Sequence, residues 1–162
     1  MQEEFAQLLK RALWALPHRG NNVLETGHAF DRDNLELSYF NFGLDESSPH
    51  TREAKDNYML CLYEPVHFKN DARRSLLNLF AECELTNIGR PQYKEDERFG
   101  GEMLIPVTPR HCAVSSDEVN DPDRGECTRT RIYFHKDDLP ALQKKLESIL
   151  RLQAPKSPIE LG

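Results

Sequence analysis

The sequence predicts an α+β domain in the order α-β-β-β-α-β-β-α, with a mostly antiparallel twisted sheet backed by helices. Three observations predict it. Apolar stripes of helical period open the chain, run through its middle and close it. Between them lie runs rich in β-branched and aromatic residues, bounded by turn-forming clusters. The 162 residues suit one core, so residues 1–153 read as a single domain and 154–162, "APKSPIELG", as a frayed tail.

The first helix runs from about Gln2 to Leu16, because Phe5, Leu8, Leu9, Ala12, Leu13 and Leu16 follow the helical template and Pro17 with Gly20 ends it. Trp14 falls on the opposite face. "NNVLETGHAF" (21–30) is a weak strand. In "LELSYFNFG" (35–43), Leu35, Leu37 and Tyr39 share one face, while Glu36, Ser38, Phe40 and Phe42 share the other. "LDESSPHTREAKDN" (44–57) is a polar loop. The unbroken apolar run "YMLCLYEPV" (58–66) suggests a central strand.

A middle helix starts at "KNDARRSLLNLFAECEL", capped by Asn70 or Asp71, with Ala72, Leu76, Leu79, Phe80 and Cys83 as its stripe and Leu77 well off it. "RPQYKEDERFGG" (90–101) reads as a charged loop. "EMLIPVTPRHCAVSS" (102–116) reads as one strand bent by Pro106 and Pro109, and "DEVNDPDRGE" (117–126) as another loop. "CTRTRIYFH" is a strand with Thr130, Ile132 and Phe134 on one face. Asp137 or Asp138 caps the last helix, whose stripe is Leu142, Leu146, Ile149 and Leu150.

A net charge of −6 argues against nucleic-acid or anionic-membrane binding, which needs clustered Lys and Arg. No stretch approaches the apolar length of a membrane span, and the acidic opening "MQEEF" lacks the pattern of a signal peptide. Cys61, Cys83, Cys112 and Cys127 show no paired spacing and read as reduced thiols in a cytoplasmic protein.

Candidate chemistry is sparse. His111, Cys112, Cys127 and His135 are suitable metal-ligand types, but their spacing matches no zinc pattern, so no metal and no cofactor are expected. Cys127 and Ser115 are possible nucleophiles without a strand–turn–helix elbow around them. Asp117, Glu118, Asp121 and Asp123 lack calcium-loop spacing. No catalytic residue is assigned and the chain is not read as an enzyme. The features out of place are apolar: Trp14, Phe40 and Phe42 on polar faces point to a partner-binding surface. Leu77, beside Leu76 and Phe80, widens the middle stripe toward a homodimer interface.

In this element order the chain resembles the class I type III secretion chaperones, the CesT/SycE-like group. The matching pieces are "EEFAQLLKRAL" at the start, "SLLNLFAECELTNIG" in the place of the family's middle helix and "TRIYFHKDDLPALQKKLESIL" as its closing strand and helix. The loops at 44–57 and 90–101 and the bent strand at 102–109 depart from the pattern. The resemblance implies a cytoplasmic homodimer that binds the N-terminal region of a secreted effector and keeps it soluble. It would bury the effector's apolar side chains in grooves or add a strand at a sheet edge. Two other classes stand as alternatives: an acidic immunity or inhibitor protein against a toxin or nuclease, and a single-strand nucleic-acid module.

Overall fold

Two apolar runs build the centre of the sheet. Leu60 and Leu62 in strand β2 (Asn57–Pro65) pair with Ile132 and Thr130 in β7 (Gly125–His135), and all four are buried. The structure is a computed structural model that describes residues 5, 7–9, 11–12, 36–41, 56–97, 100–123 and 125–153. The weak strand expected at 21–30, most of the loop at 44–57, Trp14, Phe42 and the tail at 154–162 lie outside the described residues.

Strand β1 (Glu36–Asn41) pairs antiparallel with β2, and β6 (His111–Asp121) pairs antiparallel with β7. The short β3 (Thr86–Asn87) lies parallel to β6, giving the order β1-β2-β7-β6-β3. The fold is α+β, and β2 is interior as its apolar run requires. Helical residues 5, 7–9 and 11–12, the middle helix (Asp71–Glu82) and the C-terminal helix (Leu139–Gln153) contribute to one core on one sheet face. Phe5, Leu9, Ala12, Ala72, Leu76, Leu79, Phe80, Leu142, Leu146 and Ile149 are buried there against Leu60, Leu62, Ile132 and Phe134. These buried residues of all three helical elements face the core as their spacing dictates.

Three expected loops or bends differ. Residues 93–96 and 101–104 form a two-stranded ribbon, β4 (Tyr93–Asp96) with β5 (Gly101–Leu104), in place of a charged loop. The stretch 102–116 is two strands in separate sheets, because Pro106 and Pro109 offer no amide to a ladder. Residues 117–121 and 125–126 continue β6 and β7, with a tight turn between them. Asp121 Oδ1 accepts the Asp123 amide at 2.8 Å there, and Gly125 takes φ +76°, a conformation that favours glycine.

The helix caps also differ. Asn70 precedes the middle helix in a left-handed conformation and makes no side-chain cap bond. Glu64 of β2 replaces it: Oε2 accepts the Ala72 amide at 3.1 Å and Oε1 the Arg73 amide at 3.4 Å. At the C-terminal helix, a 3-10 turn (Lys136–Asp138) intervenes, and His135 Nδ1 accepts the Asp137 amide. Buried Asp138 instead accepts the Arg110 amide at 2.9 Å, tying the start of that helix to the segment before β6.

Candidate functional site

Antiparallel register arranges the second face of the sheet, away from the helical core, in rows. The first is Met59–Tyr133–Ala113, the next Cys61–Arg131–Ser115 and the third Tyr63–Arg129–Asp117. The chain between β5 and β6 crosses the first row, where Leu104 and Val107 pack on Ala113, Tyr133 and Met59 as a second small core. Fully buried Asn57 clamps that crossing: Nδ2 donates to the Val107 carbonyl at 2.8 Å and Oδ1 accepts its amide at 2.7 Å. A hydrogen bond joins Tyr133 to Tyr93 of β4, and burial raises the Tyr133 pKa.

The clamp gives a local prediction. Asn57→Ala strands a buried amide and carbonyl and is expected to cost about 2 kcal/mol, within the usual range for unsatisfied buried groups. Urea unfolding reads the loss. Faster amide exchange at Val107, with the centre of β7 still protected, would show that the crossing is what loosens.

Beyond the crossing, the face carries a different chemistry. Arg129 forks onto Asp117, with Nε 3.1 Å from Oδ1, and hydrogen-bonds Tyr63 on its other side. That guanidinium holds the Asp117 carboxyl below its usual range, and Asp117 in turn raises the Arg129 pKa. With 46% of the Asp117 side chain and 27% of the Arg129 side chain exposed, solvent screens the pair, so it fixes geometry more than it adds stability. Half-buried Arg131 and Ser115 lie in the adjacent row. A tyrosine ring and two guanidiniums, each partly exposed, suit contact with another polypeptide.

Residues nominated from the sequence fall in several places. Trp14 and Phe42 lie outside the described residues. Phe40 is described in its backbone only, and its Cα pairs with Met59 in β2. Leu76 and Phe80 are sealed in the subunit's own core at 0% and 1% exposure, so neither offers surface to a second copy. Leu77 is half-buried and packs against that core.

The four metal-type residues are not brought together. Cys112 is in the helix-side core, and Cys127 and His135 stand eight residues apart on β7, about 26 Å along an extended strand. His111 Nδ1 pairs with the Thr108 hydroxyl at 2.9 Å. Burial pushes the Cys83 and Cys112 thiols up to about 11 and raises Cys61, which keeps all three protonated at neutral pH. Arg129 and Arg131 were legible as the polar half of an alternation with Thr130, Ile132 and Phe134, whereas Tyr63 joins them only through the pairing of β2 with β7.

No protein-family model, curated protein or solved structure matches the chain. Among the described residues, no helix is long and apolar enough to cross a membrane.

Proposed function

We propose that this chain is a cytoplasmic chaperone that holds an extended segment of a partner protein against the second face of its sheet, without turnover. The observation that carries this is the asymmetry of the sheet. The helical elements build a dense core on one face, while on the other Tyr63, Arg131, Arg129 and Asp117 are partly exposed between buried Tyr133 and Ala113 at one end and buried Pro65 and Cys127 at the other. The resemblance to class I type III secretion chaperones makes the partner the N-terminal region of a secreted effector. It also makes the protein a homodimer. A middle-helix interface would then use half-buried Leu77 with exposed Asn78 and Ala81, since Leu76 and Phe80 are already enclosed.

The test begins with the protein that co-purifies from the native host and the segment of it that resists proteolysis. Tyr63→Ala and Arg131→Ala are each expected to weaken binding of that segment about tenfold, as central aromatic and arginine anchors do, with unfolding still cooperative. Trp14→Ala and Phe42→Ala belong in the same series. A partner bound only as a folded domain would favour the inhibitor reading, and normal binding by all four variants would remove this face from the site. Sedimentation of a monomer at tens of micromolar would discard the dimer.

A further inference from the structure

The entry to the middle helix rests on a strained joint. After β2, a 3-10 turn (Val66–Phe68) leads to Lys69 and Asn70, both left-handed at φ +53° and +63°. Asparagine tolerates that conformation better than lysine does, and such residues usually occur singly. The first amides of a helix lack partners within it. Here those of Ala72 and Arg73 are met by the carboxyl of Glu64. The Arg74 amide bonds the Asn70 carbonyl at 2.9 Å. Arg73 Nη1 donates to the Ser116 hydroxyl at 3.0 Å, and that hydroxyl bonds the Thr130 hydroxyl at 3.0 Å.

Two buried atoms at this entry are unsatisfied. Among the described residues, Asn70 Oδ1 has no donor and Arg73 Nε no acceptor. Each favours a form in which water reaches it. The apolar cost of such a form is small, because Ala72 is the first turn's contribution to the helical core and the large buried side chains begin at Leu76.

Glu64 couples this joint to protons. It is fully buried, and desolvation raises its pKa to about 7 against the pull of the two amides and the Arg73 charge. Asp71 adds to the rise and is itself paired with Arg74. Thr128, across from Glu64 on β7, carries no charge, and Glu118, next in that row on β6, is exposed. Lifting the helix turn bonded to Glu64 hydrates the ionised carboxylate while the rest of the core stays closed.

We propose that the first turn of the middle helix, Asp71–Arg74, is a proton-controlled latch, seated on Glu64 while that carboxyl is protonated and freed to lift at the Lys69–Asn70 joint once it ionises. From Leu76 onward the helix stays packed. The latch is independent of what the second face of the sheet binds.

Amide exchange of the full chain against pH, corrected for intrinsic exchange rates, tests it. The carboxyl titrates at an ordinary 4.5 in the lifted form and at about 7 in the seated one, so opening becomes about tenfold easier per pH unit and about 300-fold easier over the interval. Protection at Ala72 and Arg73 is expected to fall by that factor between pH 4.5 and 7 and to level off above. The Leu76 and Leu79 amides should remain far better protected at every pH. Low urea should leave exchange at Ala72 and Arg73 unchanged, because lifting a single turn exposes little surface. Glu64→Gln, which keeps an acceptor and cannot titrate, should make their protection independent of pH. Constant protection in the wild type from pH 4.5 to 7 would overturn the latch, since the ionised carboxylate would then be a stable cap. So would exchange at Ala72 and Arg73 that matches Leu76 and Leu79 and quickens with urea, the mark of global unfolding. A pH dependence that survives Glu64→Gln would assign the opening to another group and overturn it equally.

Discussion

Phe134→Ala is expected to remove about 4 kcal/mol of unfolding free energy, near the middle of the range for truncating a buried phenylalanine. Phe134 is fully buried in β7 and touches three other rings: Tyr58 at 5.6 Å, Phe80 edge-on at 5.5 Å and Phe5 at 6.4 Å. Those rings belong to β2, the middle helix and the N-terminal helical residues, so one side chain joins three elements to the sheet. The cost combines lost transfer energy, the cavity left between elements that relax only partly, and the lost ring contacts. Small domains hold about 5–15 kcal/mol in total, so the variant should fold at low temperature with its urea midpoint sharply lowered. Phe134→Leu, which refills most of the volume, should cost less than half as much. A loss below about 2 kcal/mol for Phe134→Ala would mean that the three elements do not converge on this ring.

Phe134 was legible because burial on one face leaves a mark of period two. Thr130, Ile132 and Phe134 alternate with arginine and tyrosine, and Leu76, Leu79 and Phe80 recur at helical spacing. The β4–β5 ribbon left no such mark. Lys94, Glu95 and Glu102 are exposed, and the two buried residues of β5, Met103 and Leu104, are consecutive, so no alternation announces the ribbon. The outer half of the β6–β7 ribbon was missed for the same reason. Its extended form comes from a partner strand, and "DEVNDPDRGE" holds no apolar alternation to announce it.

The site was less legible than the fold because its residues are joined by register. Tyr63, Arg129 and Asp117 form one row only once β2, β7 and β6 are side by side. The apolar residues at Leu76 and Phe80 misled in the opposite sense. A wide stripe suggests two surfaces, yet here a sheet on one side and a C-terminal helix on the other enclose it within one subunit. Glu64 was a visible anomaly, a lone acid inside "YMLCLYEPV", but its partner is the start of a helix that the local pattern assigned to Asn70 or Asp71.

That buried acid is expected to make stability fall as pH rises from about 4.5 to 7. Glu64 is fully buried, and desolvation pushes its pKa from an ordinary 4.5 up to about 7; the Ala72 and Arg73 amides and the Arg73 charge oppose this, while Asp71 adds to it. Between those values the folded state keeps a proton that the unfolded state has released, so unfolding becomes easier with each step in pH. Below 4.5 both states are protonated and the stabilisation is whole; above 7 both are ionised and the loss levels off. At about 1.4 kcal/mol per pH unit, the interval amounts to about 3 kcal/mol. Other carboxylates work against it: Asp117, held low by Arg129, loses its contribution as pH falls. Comparison with Glu64→Gln isolates the effect, because the amide keeps an acceptor for the helix and cannot titrate. The difference in unfolding free energy between wild type and Glu64→Gln should therefore slope downward from pH 4.5 to 7 and be flat on either side. A flat difference throughout, or one rising with pH, would mean that the helix amides outweigh burial and keep Glu64 ionised as an anionic cap. A carbon-13 titration of the Glu64 carboxyl decides between the two, with a midpoint near neutrality expected.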